Sequence, residues 1–344
     1  MVKITDVARH AGVSPSTVSY VLSGKRSISA ETRQRVEQSI RTLGYRPHAG
    51  ARALASSRSN VLALVMPLRS GIHLPVQMQF AASVVTAART YDHDVLLVTQ
   101  EEGEDGLRRV TDSALVDGLV VMDIQMQDAR IPLLRSLHLP SVLIGFPAEA
   151  AGLTCIDLDF TATGEACVDH LAQLGHRCVA LLGSPPEVYA RGTGFARRTA
   201  AGFTSAARRH GINATVVPVA PGRAAAQETV ERLLHRYPGL SAVVVHNEPA
   251  LGPLLEAFQR AGMRVPEDLS VVALCPDELA ENAVVPVSSI AIPAAEVGER
   301  SVELLMSKLA RGPESVPDAT LLPPRLTPRA STAPRRPDSL PTAS

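Results

Sequence analysis

Apolar positions follow two rhythms along this chain. Through the first 45 residues they recur at helical spacing: Val7, Ala8 and Ala11, then Val18, Val21 and Leu22, then Val36, Ile40 and Leu43. Thr5 is placed to cap the first helix. Gly12 supplies a turn whose positive φ carries no Cβ strain, Ser14 caps the second helix, and Pro15 takes its first position, where a missing N–H costs nothing. Gly24 ends that helix. Ser29 caps a third, from about Ala30 to Leu43, which Gly44 stops. The third helix is expected to close over Val7, Val18 and Leu22. Two short helices about a glycine turn make a helix-turn-helix, whose second helix is sized for the DNA major groove.

From Val61 the rhythm changes to unbroken apolar runs separated by amphipathic helices. Strands are predicted at 61–66, 94–98, 118–122 and 141–144, with helices at 79–89, 106–115 and 131–137. Cys155 and Ile156 read as strand residues. A second series then begins. Its strands lie at 178–182, 215–219, 241–245 and 269–274, and its helices at 164–174, 199–210, 226–237 and 249–261, with a late helix at 294–310. Strands apolar on both faces belong to parallel sheets covered by helices on each side. Two such series predict two doubly wound subdomains with a cleft between them. The fold class expected is therefore an all-α helix-turn-helix headpiece followed by an α/β core of two parallel-sheet subdomains.

Charge sharpens the division. The chain has 344 residues and balances 34 Lys/Arg against 34 Asp/Glu, yet residues 1–60 hold ten Lys/Arg and three Asp/Glu, a net of plus seven. Positive charge gathered on one small end is the electrostatic footprint of phosphate binding. Apolar residues make up 45% of the chain and Trp is absent, so the cores must be built from Val, Leu, Ala and Ile. The four cysteines, Cys155, Cys167, Cys178 and Cys275, form no CxxC pair and read as reduced thiols rather than a zinc or disulfide framework. No apolar leader or bilayer-length run is seen, which predicts a cytoplasmic protein without membrane attachment. No cofactor is expected.

The first 47 residues resemble the headpiece of the lactose-repressor (LacI/GalR) family of bacterial transcription regulators. The resemblance rests on Lys3-Ile4-Thr5-Asp6-Val7-Ala8, Ala11-Gly12-Val13-Ser14, Thr17-Val18-Ser19, Leu22-Ser23-Gly24-Lys25, and Glu31-Thr32-Arg33 through Leu43-Gly44-Tyr45-Arg46-Pro47. It continues in the core, to about residue 333, through Leu174-Gly175-His176-Arg177, Gly202-Phe203, Ala242 to Glu248, Leu269 to Val272 and Pro293 to Gly298. It implies a periplasmic-binding-protein-like core and four segments. Residues 1–46 bind DNA, and 47–60 form a hinge helix and linker. Residues 61–330 form the effector-binding and dimerisation core, with subdomain 1 at about 61–158 and 290–319 and subdomain 2 at about 160–288 and 321–330. Residues 331–344, rich in Pro and Ser, are expected to be a disordered tail. Chain crossings are expected near 157–161, 287–291 and 318–322.

The candidate DNA contacts are Thr5, Ser14, Pro15, Ser16, Thr17, Ser19, Tyr20, Lys25, Arg26, His48, Ala51, Arg52 and Leu54. Short hydroxyls suit phosphate oxygens, Ser16 offers weak base readout, and Pro15 offers only apolar contact. Tyr20 stands where the family often has an arginine, and His48 where it often has an asparagine, so no family operator sequence transfers. Leu54 matches the hinge leucine that wedges into the minor groove and bends the duplex. The hinge is too short to be helical alone.

Ligands of parallel sheets sit beyond the carboxyl ends of the strands. That rule points to Arg69, His73, Asp123, Phe146, Arg197, Arg198, Asn247, Cys275 and Asp277, and Asn247 matches the family's effector-site asparagine. Thr199 and Cys275 stand where an arginine and an aspartate are frequent. Two usual partners of sugar hydroxyls are thus missing, and the effector, sugar or other metabolite, stays open. The partners expected are double-stranded operator DNA, this small-molecule effector and a second copy of the chain. The C-terminal residues lack apolar heptads, so a dimer is expected without a C-terminal coiled coil.

Other classes compete. Cys155, Asp157, Asp159 and His170 are close in sequence and suggest a hydrolase, but no GxSxG, HExxH or P-loop is present. A stand-alone small-molecule carrier has no use for a basic headpiece. A regulator whose core only dimerises is the nearest alternative. The reading adopted is a non-enzymatic repressor whose operator affinity is set by a ligand in the cleft.

Overall fold

The computed structural model describes residues 2–23, 26–45, 58–101, 103–113 and 115–335. Three helices open the chain: α1 (Ile4–Ala11), α2 (Pro15–Ser23) and α3 (Ala30–Leu43). They enclose Val7, Ala8, Ala11, Val18, Val21, Val36 and Tyr45. The two glycine turns take the left-handed conformation, with φ of +66° at Gly12 and +61° at Gly44. Ser14 caps α2 by accepting the Thr17 amide at 3.1 Å, and Ser29 caps α3 by accepting that of Thr32 at 3.3 Å.

Two expectations for this unit are corrected. Thr5 is not the first cap: α1 starts at Ile4, and the Asp6 carboxylate accepts the Lys3 amide at 2.9 Å. Leu22 does not join the core. It is 38% exposed, and Val21, one residue (about 100° of helix) away, is buried in its stead. His48, Ala51, Arg52 and Leu54, with the rest of the expected hinge up to residue 57, lie outside the described residues, as does Lys25.

The first sheet runs in the order β11-β5-β4-β3-β1-β2, all parallel. Its strands are β1 (Val61–Val65), β2 (Asp94–Val98), β3 (Gly118–Val121), β4 (Ser141–Ile144), β5 (Cys155–Leu158) and β11 (Ala319–Leu322). The period of two sorts its side chains. Leu62, Leu64, Val120, Val142 and Ile156 meet α4 (Leu74–Thr90) and the late helix α13 (Ala294–Arg311). Ala63, Val65, Leu119, Val121 and Leu143 meet α5 (Gly103–Asp112) and α6 (Ile131–Ser136) on the other face.

The second sheet runs β12-β10-β9-β8-β6-β7, parallel except for β12. It comprises β6 (Cys178–Gly183), β7 (Asn213–Pro218), β8 (Ala242–Val245), β9 (Ser270–Leu274), β10 (Ser288–Ile290) and β12 (Leu326–Thr327). Ala180, Leu182, Val243, Val245 and Val271 face α10 (Arg223–Arg236) and α11 (Glu248–Arg260). Val179, Leu181, Val244 and Val272 face α7 (Phe160–Gln173) and α9 (Gly194–Arg209). The last two helices approach so closely that a Cβ at Gly202 would collide with the Thr161 carbonyl oxygen, and one at Gly164 with that of Thr199. Short helices α8 (Pro186–Ala190) and α12 (Asp277–Glu281) complete the core.

The long helices begin earlier than their apolar periodicity suggests. Residue 74 starts α4 rather than 79, and residue 160 starts α7 rather than 164, where Asp159 caps the helix by accepting the Ala162 amide at 2.9 Å. The third crossing is also later than expected. Leu321 and Leu322 pair with Asp157 and Leu158 in the first sheet, so the chain crosses through Pro323, Pro324 and Arg325 before Leu326 joins the second. Order also extends past 331. Ser331 is fully buried, its hydroxyl donating to Val271 O at 2.6 Å and accepting the Ser288 amide at 2.8 Å, and Arg335 N donates to Leu174 O. Only 336–344 of the expected tail lie outside the described residues.

Candidate functional site

Two surfaces carry polar groups that the fold itself does not require. The first is α2. Ser14, Pro15 and Ser16 are exposed at its start, while Thr17, Ser19 and Tyr20 are half-buried along it. Thr5 is exposed on the neighbouring helix. The Arg26 guanidinium stands over the Tyr20 ring, 5.6 Å from its centroid, which fixes the ring and keeps a positive charge beside the helix. Ser14 and Thr17 share a hydroxyl hydrogen bond of 2.9 Å. The arrangement gathers small hydroxyls, an apolar Pro and a cation on and beside one short helix, as a groove-reading helix requires.

The second surface is a cleft. At the carboxyl ends of both sheets lies a cavity of about 120 Å³, several times what one water needs. Its near wall comes from the first subdomain: His73, Gln77, Phe80, Asp123, Gly145 and Asp157. Its far wall comes from the second: Ser184, Phe195, His246, Asn247 and Glu248. A backbone seam closes one side. Gly194 N donates to Ile124 O at 2.9 Å, Met126 N to Gly192 O at 2.8 Å, and Arg191 and Arg198 reach the carbonyls of Ser70 and Pro147.

Asp123 holds the near wall. Its backbone takes a φ of +53°, a strained conformation for a residue with a Cβ. Arg130 buttresses it by donating to the Asp123 carbonyl at 3.0 Å while pairing with Asp128 at 2.6 Å. Burial alone would raise the Asp128 carboxyl, but hydrogen bonds and charge from Arg130 hold it below its usual range. One Asp123 oxygen meets Arg69 at 2.6 Å, and Arg69 also meets Glu101 at 2.7 Å. The other, Oδ1, is buried without a partner.

On the far wall, His246 is 3% exposed and packs between two rings, stacked on Phe160 at 5.8 Å and edge-on to Phe195 at 5.5 Å. Burial drives its imidazole down to about 4, so it is neutral, and its Nδ1 has no partner. His73 Nδ1 is likewise buried and unpartnered, and burial lowers its pKa. Burial pushes Asp157 up to about 8 and Glu248 up to about 7. Asn247 donates its amide to Val219 O at 2.7 Å and Gly183 O at 3.3 Å, which leaves only its oxygen for a ligand.

Of the nine residues expected in the cleft, His73, Asp123 and Asn247 line the cavity. Arg69 braces Asp123 from behind. Arg198 and Phe146 sit at the seam, the guanidinium 5.8 Å from the ring centroid. Three are corrected. Arg197 turns to the outer face, where it donates to Tyr189 O. Cys275 is fully buried in the apolar core, where burial pushes its thiol up to about 12. Asp277 pairs with Arg329 at 2.8 Å, away from the cavity. Sequence reasoning missed Asp157, Phe160, His246 and Glu248. His246 and Glu248 flank Asn247, and Asp157 is the last residue but one of β5, so the strand-end rule would have found these three had it been applied to each neighbour.

The hydrolase constellation does not assemble. Cys155 is fully buried with its thiol pushed up to about 12, Asp159 caps α7, and His170 Nε2 meets Thr332 at 3.2 Å. No group of three His, Cys, Asp or Glu among the described residues is placed to hold a metal ion, and no helix among them is long and apolar enough to cross a membrane.

Comparison with known proteins covers nearly the whole chain. The family described as "Bacterial regulatory proteins, lacI family" matches residues 3–48, and "Periplasmic binding protein-like domain" matches residues 168–332. The HTH-type transcriptional regulator AglR of Rhizobium meliloti (strain 1021) is 29% identical over 346 residues, spanning 97% of this chain and 95% of that protein. Catabolite control protein A of Staphylococcus xylosus is 26% identical over 340 residues, spanning 96% and 99%. Among solved structures, the Lac repressor dimer bound to operator and the anti-inducer ONPF superposes with a TM-score of 0.80 at 25% identity, covering 96% of this chain and 99% of that one. A complex of the transcriptional regulator CelR with cellobiose gives a TM-score of 0.67 at 24% identity, covering 96% and 100%.

Proposed function

Because the chain belongs to the lactose-repressor (LacI/GalR) family of bacterial transcriptional regulators, we propose that it is a cytoplasmic homodimeric repressor whose operator affinity is set by a small molecule in the cleft. The observation that carries the reading is the cavity between the two sheets, lined by Asp123 and His246, whose Oδ1 and Nδ1 are buried without partners. A buried polar atom without a partner costs about 1–3 kcal/mol, so such atoms persist where a ligand satisfies them.

Residues 1–46 serve as the DNA-binding unit. Ser14, Ser16, Thr17 and Ser19 meet phosphates and base edges, and Tyr20 with Arg26 meets the backbone beside them. Residues 47–60 link this unit to the core, with Leu54 as the minor-groove wedge. Two-fold pairing of headpieces calls for an inverted-repeat operator with a deformable central step. Leu54→Ala then weakens operator binding far more than binding to random DNA.

The cleft gates this. Opening or closing the seam at Ile124 and Gly194 moves one subdomain against the other and changes the separation of the two linker starts. A coupling of about 1–3 kcal/mol shifts DNA occupancy by roughly 5- to 150-fold. The test is an anisotropy titration of operator DNA with and without a ligand found by thermal-shift screening. Asn247→Ala abolishes the ligand's effect. A normal response in that variant refutes the cleft assignment, and an operator affinity that no metabolite alters leaves the core as a dimerisation scaffold.

A further inference from the structure

The cavity lining accepts hydrogen bonds far more readily than it donates them. Asp123, Asp157 and Glu248 contribute carboxylates, while no lysine or arginine among the described residues lines it. Two of the neutral donors are already engaged. Asn247 gives its amide to Val219 and Gly183, and the Ser184 hydroxyl donates to the His246 carbonyl at 3.3 Å. Arg198, the cation facing Asp157, lies outside the lining and donates from Nη2 to the Phe146 and Pro147 carbonyls. A phosphate, which only takes hydrogen bonds, finds no cation in this lining, whereas a group rich in donors finds three carboxyl groups.

The remaining wall is aromatic and aliphatic: Phe80, Phe160, Phe195, Ile124, Ile144 and Ile292. Ring faces with carboxylates at hand suit a cation on an apolar frame. Resting on the cleft being the effector site, we infer that the effector is a small aliphatic amine, bound as its ammonium between Asp157 of the first subdomain and Glu248 of the second, with Asp123 Oδ1 as a further acceptor. The ammonium supplies up to three donors where the wall supplies acceptors. Holding one carboxylate from each subdomain, it also ties the cleft shut, and occupancy becomes a domain movement.

The charge state sets a signature. Asp157 faces Arg198 and Asp159, Glu248 lies near Cys275 with neutral His246 beside it, and burial pushes both carboxyls up, to about 8 and about 7. At pH 6 the empty site holds protons on both. An entering cation displaces them, so amine affinity rises as pH climbs through 7 and 8 and levels off above.

The full-length protein is titrated calorimetrically with butylamine, 1,4-diaminobutane, 1-butanol, glucose and glucose 6-phosphate at pH 6.0 and 8.5. The expected result is amine binding that strengthens about tenfold or more at the higher pH, with proton release, and no binding of the alcohol, sugar or sugar phosphate. Asp157→Asn and Glu248→Gln, each checked for folding by circular dichroism, weaken amine binding about tenfold or more. Sugar binding with amines inert overturns the amine assignment and leaves the cleft as effector site. Amine binding unchanged in both folded variants, or binding of no probe, overturns the inference. Amine binding in the cleft without any change in operator affinity sinks the gating model and spares the site.

Discussion

The headpiece turns its chemistry outward and the core turns its chemistry inward. Ser14, Pro15 and Ser16 stand exposed at the start of one short helix over a core of seven buried apolar residues, whereas Asp123, Asp157, His246 and Glu248 come from three separate stretches of chain and line one cavity. The outward surface keeps its groups solvated until DNA replaces the water. The inward surface holds a left-handed aspartate, a histidine driven down to about 4 and carboxyls pushed up to about 8 and about 7. Such costs concentrate where a ligand offsets them. A small helical reader thus needs little more than correct local structure, and a cleft between two subdomains needs the whole core to hold unfavourable groups in place.

Four variants break or sharpen this contrast. Val18→Asp places an unpaired charge in the headpiece core, where Val18 is fully buried. It costs about 3–5 kcal/mol, more than so small a unit holds in reserve. Gel shifts on operator DNA should lose all specific binding while ligand-induced stabilisation of the core persists. Loss of both would show the two regions to be one folding unit.

Gly202→Ala is the converse. The added Cβ meets the Thr161 backbone, which forces α7 and α9 apart at a cost of about 3 kcal/mol. Chemical denaturation followed by circular dichroism should show a weakened core transition and an unaltered headpiece.

Asp157→Asn sharpens the electrostatic side. The folded pKa, about 8, stands above the usual carboxylate value near 4, so the folded protein binds more protons across that window. Stability contributed by the protonated form is therefore lost as pH rises toward 8. The variant should melt several degrees higher than the parent at pH 8.5, with the gain vanishing near pH 4. A gain independent of pH would mean that desolvation of Asp157 is not its cause.

Ser14→Ala removes the α2 cap and should cost about 1 kcal/mol, read as a small fall in the headpiece melting temperature. Its operator affinity should fall beyond that stability loss if Ser14 also touches DNA, and by no more if it only caps.

The headpiece was legible almost residue by residue, because caps, glycine turns and helical periodicity act within four or five positions of the chain. Even its two errors are local: Asp6 caps in place of Thr5, and Val21 is buried in place of Leu22. The alternating βα order and the parallel body of both sheets were legible as well, since unbroken apolar strands have few other solutions, but β10, β11 and the antiparallel β12 were not read as strands. The cleft was legible only as a direction, the carboxyl ends of the strands. Among the residues found there, His73, Asp123 and Asn247 reach the cavity, while Arg197, Cys275 and Asp277 do not. A residue just past a strand can face the cleft, the core or the outer surface, and sequence spacing does not distinguish these.

What the sequence determined by itself was therefore everything set by neighbours along the chain: the three headpiece helices, the two βα series and the basic charge at one end. Tertiary structure decided the rest. It placed β11 beside β5, buried Ser331 against Val271 and brought Asp157 and Glu248, 91 positions apart, into the lining of one cavity. The physical reason is that burial, and with it the charge state of these carboxyls and of His246, belongs to the packed assembly of both subdomains and to no segment within it.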